Sequence, residues 1–168
     1  VHHWRYFLTI IKSKPQSVLD VGCGRGLHTI FLSYFIPLVV GLDLEKGFVI
    51  QCKARCKRYK GRAIFINANA LTLPFRRRAF SLCCSHGFFE HFTNEEIRAL
   101  VEEQLRIAEK VIFTVPSCYY LRRDVGDERL MTISEWKEIL SQNRLQGFYY
   151  GIDPKPLVKI LHSMKINE

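Results

Sequence analysis

The chain has 168 residues, 48% of them hydrophobic, and a net charge of +9 from 25 Lys and Arg against 16 Asp and Glu. This apolar content excludes a disordered chain, and the length predicts a single domain over residues 1–168. The longest apolar stretch, residues 29–44, is split by Pro37 into a helix-like and a strand-like half, which excludes a membrane span.

Val1-His2-His3-Trp4-Arg5 carries neither a basic leader nor a long apolar run, so a cytoplasmic protein with no membrane partner is expected. Trp4, Phe7, Leu8 and Ile11 fall at i, i+3, i+4 and i+7 and predict an amphipathic helix over residues 3–12. Residues 17–21 are apolar and β-branched enough for a buried strand, and residues 27–35 continue as a helix. Strands are then expected at 38–43, 63–67, 80–85, 110–115 and 147–152, with helices at 47–59, 94–108 and 133–142. Thr93 with Glu96, and Thr132 with Glu135, form capping boxes that mark the starts of the last two helices. Residues 157–162 read either as a closing antiparallel strand or as a short terminal helix. Strand and helix alternating in this way predict an α/β protein with a mainly parallel sheet of six or seven strands and helices on both faces. In such a sheet the ligand lies over the carboxyl ends of the strands, where the strand order reverses.

Six cysteines without a secretory leader point to a reducing compartment, and their spacing supplies no metal set. Cys52 and Cys56 share a helical stripe with Phe48 and Tyr59 and read as small buried apolar residues, as do Cys83 and Cys84 in their strand. Lys53, Arg55, Lys57, Arg58, Lys60 and Arg62 have no acid between them, and Arg76, Arg77 and Arg78 follow. Such charges make a solvated face or a surface for an anionic partner, RNA included.

Residues 18–26, V-L-D-V-G-C-G-R-G, place Gly22, Gly24 and Gly26 in the turn between strand and helix. Glycines there let the backbone approach a ligand closely. The dinucleotide pattern G-x-G-x-x-G requires a third glycine at position 27, which is Leu27. Asp20, just before the turn, suits a ligand carrying an ammonium better than a pyrophosphate. Asp43, ending the second strand in V-V-G-L-D, can accept both hydroxyls of a ribose.

These segments resemble the class I S-adenosylmethionine-dependent methyltransferases, of the small stand-alone, Rossmann-like kind. V-L-D-V-G-C-G-R-G is similar to that family's first motif and L-D-L to its second-strand acid; N-A-N-A-L-T-L-P-F and H-G-F-F-E-H-F are similar to its third and fourth motifs. The resemblance runs from Val18 to about Phe92 and more loosely to Ile152. It implies that Gly22, Gly24 and Gly26 line the methionine and ribose of S-adenosylmethionine, with Asp20 near its amino group. Asp43 would hold the ribose and Leu44 lie beside the adenine. Asn69, where the family usually has Asp, would receive the adenine amino group, with Ala70 or Leu71 reading the ring. Ser85 and His86 would lie next to the methionine part. Ser81, another departure from an expected Asp, reads as structural.

Methyl transfer to an acceptor is an in-line displacement, leaving S-adenosylhomocysteine, and needs a general base only if the acceptor must lose a proton. His86, Glu90 and His91 follow the fourth strand and are the candidate bases, or else they cap and orient the loop. A small molecule is the expected acceptor, with RNA as the alternative through the basic face. A non-catalytic subunit that binds cofactor or a partner chain is the reading from another class. Ser85-His86-Gly87-Phe88 lacks the N/D/S-P-P-aromatic motif of the amino-methylating nucleic-acid enzymes, and Cys118 does not sit in a Pro-Cys motif after the fourth strand. Residues 119–129 form a long connection. Its tyrosines and arginines either line an acceptor pocket or form a cover in which Arg122, Arg123 and Arg129 pair with Asp124, Asp127 and Glu128.

Overall fold

The computed structural model describes residues 3–120, 126–150 and 155–161. Helix α1 (Trp4–Lys12) leads into strand β1 (Ser17–Val21); α2 (Leu27–Leu32) connects β1 to β2 (Leu38–Asp43), and α3 (Lys46–Arg58) connects β2 to β3 (Ile64–Asn67). A loop connects β3 to β4 (Leu82–His86), α4 (Asn94–Ile107) connects β4 to β5 (Lys110–Thr114), and α5 (Ile133–Ile139) follows β5. Strands β6 (Arg144–Tyr150) and β7 (Lys155–Leu161) end the described chain. The sheet order is β3-β2-β1-β4-β5-β7-β6. The first five strands pair in parallel, while β7 runs antiparallel to both β5 and β6. The chain steps outward from β1 to β2 and β3, then returns to lay β4 against the other side of β1. That reversal opens a crevice at the carboxyl ends of β1 and β4.

Both faces of the central strands are covered. Leu19, Cys83, Val111 and Phe113 point into a core completed by α4 and by Trp136 of α5, whereas Val18, Leu82, Cys84 and Ile112 pack against Tyr6 and Ile10 of α1 and Leu32 of α2. This two-sided burial explains why these strands read as continuous apolar runs rather than alternating ones. At the amino-terminal edge, Ser81 Oγ accepts from the N–H groups of Gln16 and Ser17, and Ser81 N–H donates to Ser17 Oγ at 3.0 Å. Ser81 therefore stitches β1 to the approach to β4, far from the strand ends that form the crevice.

Several boundaries differ from the sequence reading. Helix α2 stops at Leu32, where Ser33 Oγ bonds back to the Ile30 carbonyl before Pro37. Helix α5 stops at Ile139 rather than at 142. Phe80 forms an isolated bridge with Ala108, so β4 is shifted to end at His86. The strand expected at 147–152 is β6, displaced toward Arg144 by its pairing with β7, and residues 151–154 lie outside the described residues. Residues 155–161 resolve the open alternative as a strand. In α3 the buried stripe is Val49, Cys52 and Cys56, and Phe48 and Tyr59 fall at its edges, 37% and 49% exposed. No helix among the described residues is long and apolar enough to cross a membrane.

Candidate active site

The glycine turn is tied to β2 before any ligand arrives. Cys23 N–H donates to the Leu42 carbonyl at 2.9 Å, and Gly24 N–H donates to Asp43 Oδ2 at 2.7 Å. Asp43 Oδ1 accepts from Glu45 N–H at 2.9 Å, so this carboxylate holds the turn and the start of α3 together. Asn67, at the end of β3, donates to the carbonyls of Asp43 and Leu44 at 2.9 and 2.7 Å and braces the same strand end. Gly22 has φ +68°, and a Cβ there would meet Phe88 Cδ2 at 2.3 Å, so only glycine lets the aromatic ring lie over the turn. Gly24 has φ +49° with nothing within 4 Å of a Cβ position, which leaves its outer side open. Gly26 closes the turn through its N–H to the Cys23 carbonyl and leads into α2.

Asp20 is only 3% exposed and accepts from Thr29 Oγ1 at 2.6 Å. Burial raises its pKa from 3.8 to about 6, against the lowering effect of the Thr29 hydrogen bond. It is a buried carboxylate whose negative charge a cationic ligand group would stabilise. Burial also pushes the thiols of Cys23, Cys83 and Cys84 well above their ordinary range, so none of the three is a ready thiolate nucleophile.

A cavity of about 420 Å³ opens beside the turn, within the range of small-molecule sites. Gly22, Leu42, Asp43 and Leu44 form one wall, residues 68–71 a second, and Gly87, Phe88, His91 and Phe92 a third, with Leu100 at the back. Of the expected cofactor residues it gathers Gly22, Asp43, Leu44, Asn69, Ala70 and Leu71. Asp20, Gly24, Gly26, Ser85 and His86 are not in its lining. The loop that carries Asn69 is held from behind by Arg106 of α4. Its guanidinium donates to the carbonyls of Leu73 and Phe75 at 3.0 and 2.8 Å and to Glu103 at 2.7 Å, while Glu103 accepts from Leu73 N–H. Asn69 Oδ1 accepts from Leu71 N–H at 2.9 Å, a local turn contact that leaves a second lone pair on the oxygen. The aromatic wall was not foreseen, although Phe88 and Phe92 flank the Glu90-His91 pair in the sequence.

The three candidate bases are separated. His91 lines the cavity, and its Nδ1 lies 2.9 Å from Asp127 Oδ1. Glu90 is 3% exposed, is not in the cavity lining, and its backbone carbonyl accepts from Arg129 N–H at 2.9 Å. His86 turns instead toward α1, where its Nε2 is 2.7 Å from His3 Nδ1 and its ring stands 4.4 Å from that of His28. A metal set was not expected from sequence spacing, yet His3, His28 and His86 form a cluster. Burial lowers the pKa of His28 below its ordinary value. Ser85, at the end of β4, is fully buried, and its Oγ has no hydrogen-bond partner among the described residues. An orphan of this kind is completed by a ligand or a water.

Within the long connection, Arg129 binds the Phe92 carbonyl and Asn94 Oδ1, both at 2.6 Å, rather than a neighbouring acid, because the start of α4 lies within its reach. Asp127 is taken by His91. Arg122, Arg123 and Asp124 lie outside the described residues.

A strand-order reversal beside a glycine turn that is anchored to the acid ending the second strand defines the frame of a Rossmann-like α/β protein. Residues 18–110 match the family model described as "Methyltransferase domain", and that is more than half of the chain. The chain belongs to this family, whose methyl donor is S-adenosylmethionine. The tRNA (carboxymethyluridine(34)-5-O)-methyltransferase alkbh8 of Xenopus tropicalis is 35% identical over 99 residues, 58% of this chain and 14% of that protein. The chain spans between 14% and 41% of the length of the curated relatives it matches. Among solved structures, the PH0226 protein of Pyrococcus horikoshii OT3 aligns with a TM-score of 0.79 at 15% identity, covering 95% of this chain and 87% of that one. Magnesium protoporphyrin IX methyltransferase of Synechocystis PCC 6803, with bound SAH, gives 0.77 at 14% identity, covering 96% of this chain and 84% of that one. These two likenesses concern the fold.

Proposed function

We propose that the chain transfers the methyl group of S-adenosylmethionine to a small-molecule acceptor over the carboxyl ends of β1 and β4. The observation that carries this reading is the pairing of the Asp43-anchored glycine turn with a preformed apolar cavity. The cofactor, when bound, supplies a methyl group on a cationic sulfur and is released as S-adenosylhomocysteine. Asp43 has lone pairs left for a ribose diol, and Leu44, Ala70 and Leu71 offer apolar faces to an adenine. The remaining lone pair of Asn69 Oδ1 can take an exocyclic amino group. Asp20 lies beneath the turn, where its carboxylate favours an ammonium. Gly24 leaves room along the backbone, whereas Gly26 gives way to Cys52 and Phe65 of the protein itself. Ser85 stands at the end of β4 beside the methionine position, while the His86 side chain turns away toward α1. Holding acceptor and methyl in line supplies ~7–11 kcal/mol of the barrier reduction. Where the acceptor must lose a proton, His91 is the base the geometry favours. Asp127 holds its Nδ1 and leaves Nε2 to take the proton. Glu90, buried and bonded through its backbone to Arg129, positions the turn.

The test is a thermal melt with S-adenosylmethionine, S-adenosylhomocysteine or NAD added separately, followed by transfer of labelled methyl groups to candidate acceptors. At 100 times the dissociation constant a ligand adds ~2.7 kcal/mol, which is roughly 5–10 °C for a chain of this size. A shift with both adenosyl sulfur compounds and none with NAD is expected. No shift with either overturns the reading, and binding without transfer to any acceptor would favour a non-catalytic subunit.

RNA is the second acceptor reading. Lys53, Lys57, Arg58, Lys60 and Arg62 are exposed around the end of α3 and the turn after it, and the alkbh8 relative is named for action on tRNA. Affinity for RNA that falls steeply with salt would support it, since phosphate contacts release counterions.

A further inference from the structure

Three imidazoles from three separate elements converge at the α1 side of the crevice. His3 immediately precedes α1, His28 lies in the first turn of α2, and His86 ends β4. Their ring centroids are 4.1 Å apart for His3 and His86, 4.4 Å for His28 and His86, and 5.5 Å for His3 and His28, all in edge-to-face crossings. One ring nitrogen from each lies within 4.8 Å of the other two. All three are partly buried, with Tyr6 standing 5.7 Å from the His86 ring and Phe7 5.2 Å from that of His28.

A hydrogen bond between His3 and His86 accounts for one pair. It does not account for the third ring, a nitrogen of which lies within 4.8 Å of a nitrogen on each of the other two. Convergent nitrogens are what a metal requires. Zn–N bonds of 2.0–2.1 Å in a tetrahedral site set nitrogen separations of about 3.3 Å. His3 and His86, at 2.7 Å, must open by about 0.6 Å, while His28 closes in; both are side-chain adjustments. An all-imidazole set selects zinc, copper, nickel or cobalt and disfavours magnesium and calcium, which take oxygen ligands. Three protein ligands leave at least one coordination position for a small exogenous group.

We propose that His3, His28 and His86 form a binding site for a divalent first-row transition ion, Zn²⁺ in the first instance. The bound ion fastens the start of α1 to the end of β4 and the start of α2, closing one side of the crevice. The site does not depend on the reading of the methyl donor, so either can fail without the other.

The test uses the full chain stripped with a chelator. Co²⁺ is titrated while the visible absorption of four-coordinate cobalt is followed, and Zn²⁺ is then added to displace it. One Co²⁺ per chain, displaced by Zn²⁺, is expected. His3→Ala, His28→Gln and His86→Asn should each weaken binding at least ~10-fold, and Cys118→Ala, which removes an exposed thiol, should leave it unchanged. Histidine ring resonances in the unmutated chain give a reading that needs no variant. Of its six histidines, only these three should shift on adding Zn²⁺. No stoichiometric binding, shifts confined to other histidines, or binding retained in all three histidine variants and lost in Cys118→Ala, the mark of an adventitious ion only, would overturn the proposal.

Discussion

Replacing Asp20 with Asn should stabilise the chain while weakening donor binding. The carboxyl is 3% exposed, and burial raises its pKa from 3.8 to about 6. Below pH ~4 the group is protonated in both folded and unfolded chains and contributes nothing. As pH rises toward ~6 the unfolded chain releases the proton first, so folding stability falls; above ~6 the penalty is constant at about 3 kcal/mol. Asn keeps the shape, and its Oδ1 can still accept from Thr29, so Asp20→Asn should recover about 1 kcal/mol at pH ~4.5 and up to about 3 kcal/mol at pH ~8. At ~2–4 °C per kcal/mol, the melting temperature should rise by ~2–4 °C in the acid buffer and by ~6–12 °C in the alkaline one. Paired melts of the two proteins across this range are the assay. A gain that does not grow with pH, or a loss at pH ~8, would refute the account of Asp20 as a buried, poorly compensated charge. Titration of S-adenosylmethionine into the same samples should show weaker binding to the variant at pH ~8, because the carboxylate beneath the turn is gone.

The two outer features of the turn should separate in mutagenesis. Gly22→Ala places a methyl 2.3 Å from Phe88 Cδ2 and should abolish donor binding with a clear loss of stability, whereas Gly24→Ala meets no protein atom within 4 Å. The latter should cost only the left-handed backbone penalty of ~1–2 kcal/mol, read by denaturant unfolding. Asp127→Asn should lower kcat and alter its pH profile for an acceptor that must lose a proton while leaving the donor KM unchanged, since it acts through His91. Arg106→Ala frees the backbone of residues 73–75 and should raise the donor Kd more than it changes kcat, with faster amide exchange in the 69–75 loop as the independent readout.

The strand-turn-helix that begins the site is legible because glycine spacing, a β-branched run and an acid at a strand end are local signals. Asp43 and the Leu44 and 69–71 wall follow from position along the chain once the parallel strands are read. What was hidden joins residues distant in sequence: His91 meets Asp127 across 36 residues, and His86 meets His3 across 83. No periodicity encodes such pairs; only the reversal of strand order brings them together. The terminal hairpin was blurred for a related reason. Antiparallel β6 and β7 fix each other's register by mutual pairing, so neither boundary is set by its own residues. The His cluster escaped because its three members lie singly on α1's approach, α2 and β4, without the short spacing by which metal ligands are usually noticed.

The bond from Gly24 N–H to Asp43 has a consequence for how a ligand arrives. A glycine-rich segment is among the most mobile of peptides, and ordering it at the moment of binding would subtract ~1–2 kcal/mol per residue from affinity. Here the loss is met when β2 folds, since the carboxylate already grips the segment at 2.7 Å. A ligand therefore encounters a finished surface, and its association rate should not be gated by loop closure. The same link makes recognition hostage to the strand. A core substitution under β2 that loosens Asp43 would weaken binding without touching any residue the ligand contacts.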